Sequence, residues 1–147
     1  MAIRFSAQNI SFEPPEAANV RQWVAQVIKQ RGKQVGNLSY LFCNDEFILE
    51  MNRRFLNHDT YTDIITFDNV VGDTIAGDIL ISIDRVGENA SLFNVPFEQE
   101  LHRVIIHGVL HLLGQGDKSD TEAAEMRRQE GDALQLWEAM FHKEQKC

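Results

Sequence analysis

Two histidines one helical turn apart constrain this chain more than any other feature of its sequence. His107 and His111 lie four residues apart, a spacing that puts both side chains on one face of a helix. Gly114 follows where helices often end, because glycine adopts the left-handed conformation at little cost. The chain can then turn back and bring Asp117 to the same place. The spacing predicts one metal ion held by His107, His111 and Asp117, with one position open as in catalytic zinc sites.

The alternative for this segment is a pair of partly buried histidines without a metal. A glycine three residues after the second histidine, and an aspartate three residues further on, favour the metal because they match metzincin-type spacing. Gly108 occupies the position where zinc peptidases carry their catalytic glutamate. The pattern therefore indicates a metal-dependent hydrolase and argues against a standard metalloprotease.

Composition is compatible with one intracellular globular domain. The chain has 147 residues, 44% of them hydrophobic, and a formal net charge of −8. That charge argues against a broad nucleic-acid surface but is compatible with a local groove. Cys43 and Cys147 form no recognisable disulfide framework, and Cys43 is expected to be a buried apolar residue. Without a signal peptide or an apolar run of membrane length, we expect a cytoplasmic protein.

Hydrophobic periodicity predicts nine elements in the order β-α-β-α-β-β-α-α-α. The predicted strands cover residues 3–9, 38–43, 62–70 and 75–83. The predicted helices cover about residues 16–31, 44–56, a short stretch after 84, 96–113 and 120–141. The last two strands form a hairpin or lie side by side. This order predicts an α+β single domain, with a small mixed sheet of about four strands, about five helices, and the metal site at the end of the motif helix.

Several polar residues could support the metal site, and each also has a structural interpretation. Glu100 lies on the stripe of His107 but about 10 Å along the axis, so it either supports the site or complements the helix dipole. Arg103 is expected to pair with an acid such as Glu100 rather than to hold a phosphate. Asp63 either orients a ligand histidine or ends a strand. Asp59 and Asp63 are weak candidates for accepting a proton, since the helix carries no glutamate for this.

Other polar groups are expected to be structural. His58, His102 and His142 lack partner spacing and are predicted at the surface. The acidic run from Asp117 to Glu130 is predicted to be mostly a solvated helix face. Neither spacing nor composition distinguishes a peptide substrate from a phosphodiester.

Residues 107–114, HGVLHLLG, resemble the H-G-x-L-H-L-x-G motif of the YbeY family of bacterial metal-dependent endoribonucleases. Glu100 matches the glutamate that precedes this motif. Further segments agree in order and approximate spacing with L-N…D-x-x-T-D-V-L-S-F and G-D-I of the family, namely Met51-Asn52, Asp59, residues 62–67 and Gly77-Asp78-Ile79. The resemblance covers roughly residues 38–130.

The resemblance implies a YbeY-like metallohydrolase domain over residues 1–147 that holds one divalent ion, zinc above all. It implies cleavage of single-stranded ribosomal RNA and contact with the small ribosomal subunit, with neither DNA nor a membrane as partner. Asp117 stands where the family usually has its third histidine. A shifted alignment would put Asp117 on the aspartate of the motif and Lys118 on that histidine.

A second departure concerns an arginine that is thought to aid RNA cleavage in the family. Leu56 occupies the aligned position, and Arg53, Arg54 or Arg103 would have to compensate. The main hypothesis is a metal-dependent endoribonuclease of ribosomal RNA processing. The acidic charge and the missing arginine favour an alternative, a non-catalytic ribosome-assembly factor with a structural metal. A metallohydrolase on another substrate is the third possibility, and Gly108 counts against a peptidase.

Overall fold

The computed structural model describes residues 2–57 and 62–142, and its elements follow the predicted order. The strands are β1 (Ile3–Ala7), β2 (Gln34–Cys43), β3 (Ile64–Asp68) and β4 (Thr74–Ser82). The helices are α1 (Ala17–Gln30), α2 (Asp45–Phe55), α3 (Ile83–Phe93), α4 (Phe97–Leu112) and α5 (Asp120–Phe141). Over these residues, the predicted α+β class with a four-stranded sheet and five helices is confirmed.

The sheet is mixed and has the strand order β1-β2-β4-β3. Strands β1, β2 and β4 are parallel, and β3 pairs with β4 in the antiparallel sense predicted for a hairpin. Gly77 of β4 lies opposite Asp68, and a Cβ atom there would stand 2.5 Å from the carbonyl oxygen of Phe67 and 3.3 Å from Leu112. Glycine at this point therefore lets the last turn of α4 approach the hairpin closely.

Strands β2 and β3 differ most from their predicted bounds. Gly36, predicted in a loop, lies inside β2, where the register shifts between Val35 and Leu38. A bulge interrupts the alternation of apolar and polar residues that identifies a strand, so the first part of β2 was not predicted. Strand β3 is shorter than predicted, since the carboxylate of Asp68 accepts a hydrogen bond from the backbone of Val70 at 2.8 Å and turns the chain.

Helix α2 begins as predicted but buries a different face. The side chain of Asn44 accepts a hydrogen bond from the backbone N–H of Phe47 at 2.9 Å and caps the helix. The apolar residues Phe47, Met51 and Phe55 are spaced to line one face of the helix. The buried residues are instead Ile48 and Asn52, and Phe55 is 58% exposed. Phe55 lies in the last turn and, among the aromatic side chains of the described residues, contacts only Phe67, in a T-shaped arrangement.

Helix α4 lies at the centre of the molecule and contacts α1, α3, α5, β3 and β4. Leu101, Val104, Ile105 and Leu112, which helical spacing places on one apolar stripe, are all buried. Gly108 faces the sheet. Cys43 of β2 is also buried, as predicted. Burial raises the pKa of its thiol to about 12, and the charges of Asp45 and Asp84 raise it further.

The prediction that His102 lies at the surface is wrong. The residue is 3% exposed, and its ring lies 4.3 Å from that of Trp137 and 5.4 Å from that of Trp23 between centroids. Its Nε2 atom is buried without a hydrogen-bond partner among the described residues. Burial lowers the pKa of His102 to about 4, with His142 acting in the same direction and Glu16 against it.

Acid is expected to destabilise the protein through His102. Its folded-state pKa is about 4 and the ordinary value is about 6.5. The unfolded chain therefore binds more protons between these values, and the free energy of unfolding falls as the pH falls through this window. At about 1.4 kcal/mol per pKa unit, the loss from pH ~6.5 to pH ~5 is about 2 kcal/mol.

Urea unfolding at about pH 7 and about pH 5 measures this loss. The matched variant is His102→Phe, which keeps an aromatic ring between the tryptophans and cannot titrate. The free energy of unfolding of the parent should fall by about 2 kcal/mol more than that of the variant. An equal pH dependence in the two proteins would contradict the assignment.

His142 was also predicted at the surface, and its outcome differs from that of His102. His142 is half-buried, with its ring 6.2 Å from that of Trp137, so its predicted surface position is only partly correct. His58, Asp59 and Cys147 lie outside the described residues.

Candidate active site at the end of helix α4

Gly114 ends α4 in the way its position predicted. Its φ angle is +102°, in the left-handed region where glycine is favoured. The backbone N–H of Gly114 donates to the carbonyl of His111 at 3.0 Å, and that of Gln115 donates to Leu110 at 3.0 Å. This pair of hydrogen bonds is a Schellman motif, and it turns the chain back toward the helix it has just left.

Side-chain contacts then fix the loop that carries Asp117. Gln129 of α5 donates a hydrogen bond to the side-chain oxygen of Gln115 at 3.0 Å. Ser119 and Glu122 form a capping box at the start of α5. The loop is therefore attached at both ends to α5, and Asp117 is placed by that helix as much as by α4.

The structure brings His107 and Asp117 together. The Nε2 atom of His107 lies 3.3 Å from Oδ2 of Asp117, whereas the side chain of His111, one turn further, is exposed. Lys118 contacts the loop through its backbone N–H, which donates to Glu122. In the described part of the chain, no three His, Cys, Asp or Glu side chains are grouped so that they could hold a metal ion. The ligand set of His107, His111 and Asp117 stays a prediction.

Glu130 is the site residue that the sequence reasoning missed. Its Oε2 atom lies 2.7 Å from Nδ1 of His107, and the residue is 3% exposed, so the prediction of a solvated acidic face is wrong here. A carboxylate at Nδ1 selects the tautomer whose Nε2 lone pair is free to bind. A signal was present, because Glu130 falls on the buried stripe of α5 between Met126 and Trp137 at helical spacing.

Arg103 connects this carboxylate to a second buried one. Its guanidinium contacts Glu100 at 2.9 and 2.5 Å and Glu130 at 3.3 Å. Glu100 is 2% exposed, which fits the supporting role that was one of its two interpretations. The pairing of Arg103 with Glu100 was expected from sequence, but its second partner was not. One arginine thus compensates two buried carboxylates that lie behind His107.

Charge in this network shifts several pKa values. Burial lowers the pKa of His107, but the hydrogen bond and charge of Glu130 outweigh it, with help from Asp117 and Asp63, and the net shift is upward. The hydrogen bond with Glu100 raises the pKa of Arg103 despite burial. Burial raises the pKa of Asp63, although Arg103 and His107 oppose it. The site favours a cation beside Glu130 and Asp117.

Asp63 lies at the edge of this network. Its side chain accepts a hydrogen bond from Asn89 at 3.4 Å and lies 3.9 Å from the guanidinium of Arg103. Orienting a ligand histidine was one of two interpretations of Asp63, and for Nδ1 of His107 Glu130 makes that contact instead. A proton-accepting role for Asp63 or for Asp59, which lies outside the described residues, stays a prediction.

Leu56 caps the C-terminal end of α2 and is 42% exposed. Arg54 and Arg103, two of the three arginines that would have to replace the missing family arginine, have carboxylate partners. Arg54 pairs with Glu50 at 3.5 Å, and Arg103 is held as described above. Any contribution of Arg103 to cleavage therefore competes with its support of Glu130.

Comparisons with known proteins agree with this fold and motif. A family model described as Endoribonuclease YbeY matches residues 3–138. Relatives named Endoribonuclease YbeY include one from Porphyromonas gingivalis, 52% identical, with 90% of this chain and 87% of the relative covered. One from Christiangramia forsetii is 45% identical, with 97% and 96% covered. The solution structure of TM1509 from Thermotoga maritima has a TM-score of 0.70 and 26% identity, over 97% of this chain and 93% of that one.

The α+β fold with a central motif helix defines the structural class that this chain shares with the Thermotoga protein. The chain belongs to the endoribonuclease YbeY family, and the family resemblance of its motifs is confirmed. Among the described residues, none of the helices has both the length and the apolar character needed to cross a membrane.

Proposed function

We propose that the protein is a metal-dependent endoribonuclease that cleaves single-stranded RNA during ribosomal RNA maturation. Membership of the family supports the nuclease class. The observation that carries the metal-dependent part is the placement of His107, whose Nδ1 is held by buried Glu130 while Nε2 faces Asp117. Ligand histidines are held by a carboxylate in this way at metal sites.

The donor set fits a divalent ion. His107, His111 and Asp117 offer two imidazole nitrogens and a carboxylate oxygen, which suit zinc and are compatible with harder metals. A bound ion of this kind lowers the pKa of water toward neutral pH and polarises a phosphoryl oxygen. Glu130 orients His107, Arg103 compensates Glu130, and Asp63 stands within the same network to accept a proton. Zinc is the ion we propose.

The rest of the proposal follows from the family resemblance. The RNA would belong to the ribosome, the protein partner would be the small ribosomal subunit, and the reaction would take place in the cytoplasm. A non-catalytic assembly factor would share these partners. RNA cleavage by the metal-loaded protein is the measurement that separates the two functions.

Metal content tests the ligand set first. Elemental analysis of the purified parent should find about one divalent ion per chain, and Asp117→Ala should lose it. Lys118→Ala is the matched control, because Lys118 is the neighbour that a shifted alignment would place at the third ligand. Retention of the ion by Asp117→Ala, with loss by Lys118→Ala, would contradict the proposed ligands.

Cleavage tests the activity. The metal-loaded parent should cut a fluorogenic single-stranded RNA and leave the same sequence in a duplex intact. His107→Ala and His111→Ala should lose at least about 100-fold in rate, because loss of outer partners of a metal site alone costs about 10- to 100-fold. A parent that co-sediments with small ribosomal subunits but cuts no RNA would favour the assembly factor.

A further inference from the structure

A groove between α4 and α5 continues beyond the candidate metal ligands. It has a volume of about 590 Å³, within the range of sites that take small organic groups. His107 and Asp117 lie at one end, and Phe93 and Leu134 lie toward the other. Gln99, Arg103 and His107 recur every fourth residue along the α4 wall, which makes this wall about 12 Å long at 1.5 Å per residue. The groove is therefore longer than a metal site requires.

Phe93 forms an exposed aromatic wall of this groove. It is the last residue of α3 and is 59% exposed. Asn94 follows in the left-handed conformation, with Asn94 bonded to Ser91 and Val95 bonded to Ala90 through their backbones. This second Schellman motif fixes where the helix ends. The Phe93 ring has no aromatic neighbour among residues 2–57 and 62–142, so its face is available to a flat ligand.

Arg127 lines the groove from α5. It is exposed, and in the part of the chain that the structure describes it makes no hydrogen bond or ion pair. Its neighbour Arg128 differs, because it pairs with Glu125 and Asp132. The buried carboxylates Glu100 and Glu130 are compensated by Arg103. The groove thus offers one uncommitted guanidinium, a group suited to phosphate.

We propose that this part of the groove is a subsite for one nucleotide beside the cleaved bond, with its base stacked on Phe93 and its phosphate held by Arg127. The inference rests on the proposed function and names two residues that would position the RNA. An aromatic face next to a cation is how proteins bind single strands without reading their sequence. Paired bases are stacked inside a duplex and cannot reach such a platform, so this subsite would select single strands.

Binding of a fluorescein-labelled ten-nucleotide 2′-O-methyl uridine strand, followed by anisotropy, tests the subsite apart from cleavage. The metal-loaded protein is used throughout. Phe93→Ala should bind about tenfold more weakly, as expected for one lost base stack. Arg127→Gln should bind several-fold more weakly and lower the salt dependence by about one ion. Phe93→Tyr should bind like the parent.

The controls are neighbours of the same chemistry. Leu92 is 72% exposed and does not line the groove, so Leu92→Ala should leave binding unchanged, as should Arg128→Gln. Equal affinities for Phe93→Ala and Leu92→Ala, together with equal affinities for Arg127→Gln and Arg128→Gln, would overturn the subsite. A labelled glutamate peptide that binds in an Arg127-dependent but Phe93-independent way would overturn it in favour of an acidic protein ligand.

The outcome for the subsite is separable from that for the nuclease. A parent that cleaves RNA while both groove variants bind normally keeps the proposed function and loses the subsite. A parent that binds RNA through Phe93 and Arg127 but never cleaves it keeps the subsite and loses the function. A parent that neither binds nor cleaves RNA overturns both.

Discussion

Replacing Gly108 by glutamate is expected to unfold the protein, although it creates the peptidase pattern HExxH at residues 107–111. A Cβ atom on Gly108 would stand 3.0 and 3.1 Å from Ile79 and 3.1 Å from Ile64, so this side of α4 lies directly on the sheet. The new carboxylate would enter the core without a partner. An unpaired buried charge costs several kcal/mol, which is comparable to the total stability of about 5–15 kcal/mol typical of a domain.

Circular dichroism and urea unfolding of Gly108→Glu measure this effect. Gly108→Ala is the matched control, because it adds one uncharged methyl group that meets Ile79 and Ile64 at 3.0–3.1 Å. The close packing costs about 1–3 kcal/mol, and a gain in helix propensity of about 1 kcal/mol offsets part of it. This variant should therefore stay folded and lose at most about 2 kcal/mol of stability. A folded Gly108→Glu protein with parental stability, or one that cuts peptides, would show that position 108 faces the site instead.

Replacing Glu130 by alanine is expected to weaken metal binding about 10- to 100-fold without removing any ligand, the usual effect of losing an outer partner. His107 loses the acceptor of its Nδ1 hydrogen at 2.7 Å, and its ring is no longer held toward Asp117. Arg103 loses one of its two close partners. The free energy of unfolding should also fall by about 2 kcal/mol, as for buried polar groups that lose a partner.

Zinc affinity measured by competition with a chelating dye separates this role from a purely structural one. Glu130→Gln should be intermediate, because its amide oxygen still accepts the Nδ1 hydrogen but carries no charge. Asp132→Asn is the control on the same helix, where the carboxylate pairs with Arg128 away from His107. Parental zinc affinity in a folded Glu130→Ala protein would rule out the positioning role. No zinc binding by the parent would instead refute the proposed ligands.

Local chemistry explains why the order of elements was predictable. Asn44 caps α2 and Gly114 ends α4 through contacts within a few residues. Such contacts can be predicted from residues that are close in the sequence. The apolar stripes of α1 and α5 also made these helices predictable, because each helix buries one face. The bulge at Gly36 and the exposure of Phe55 depend instead on which strand or helix lies opposite, which neighbouring residues do not encode.

Longer-range contacts explain what the sequence missed in the site. Glu130 reaches His107 across 23 residues, and only the docking of α5 on α4 reveals the pair. His102 is hidden for another reason, because α4 is buried on most sides and its periodicity does not separate core from surface. In both cases a polar residue stood at an apolar position of its helix. Such residues are expected to be either paired or perturbed when the helix is buried.

The two tryptophans of the chain are both buried in one cluster around His102. The Nε1 atom of Trp23 donates to the carbonyl of Ala133 in α5 at 2.8 Å, and Trp137 belongs to α5 itself. The environment of both indoles therefore depends on the position of α5. The intrinsic fluorescence of the protein is therefore an optical reporter of α5 docking. Because Glu130 is carried by that helix, a red shift of the emission would signal loss of the support behind His107 before any RNA is added.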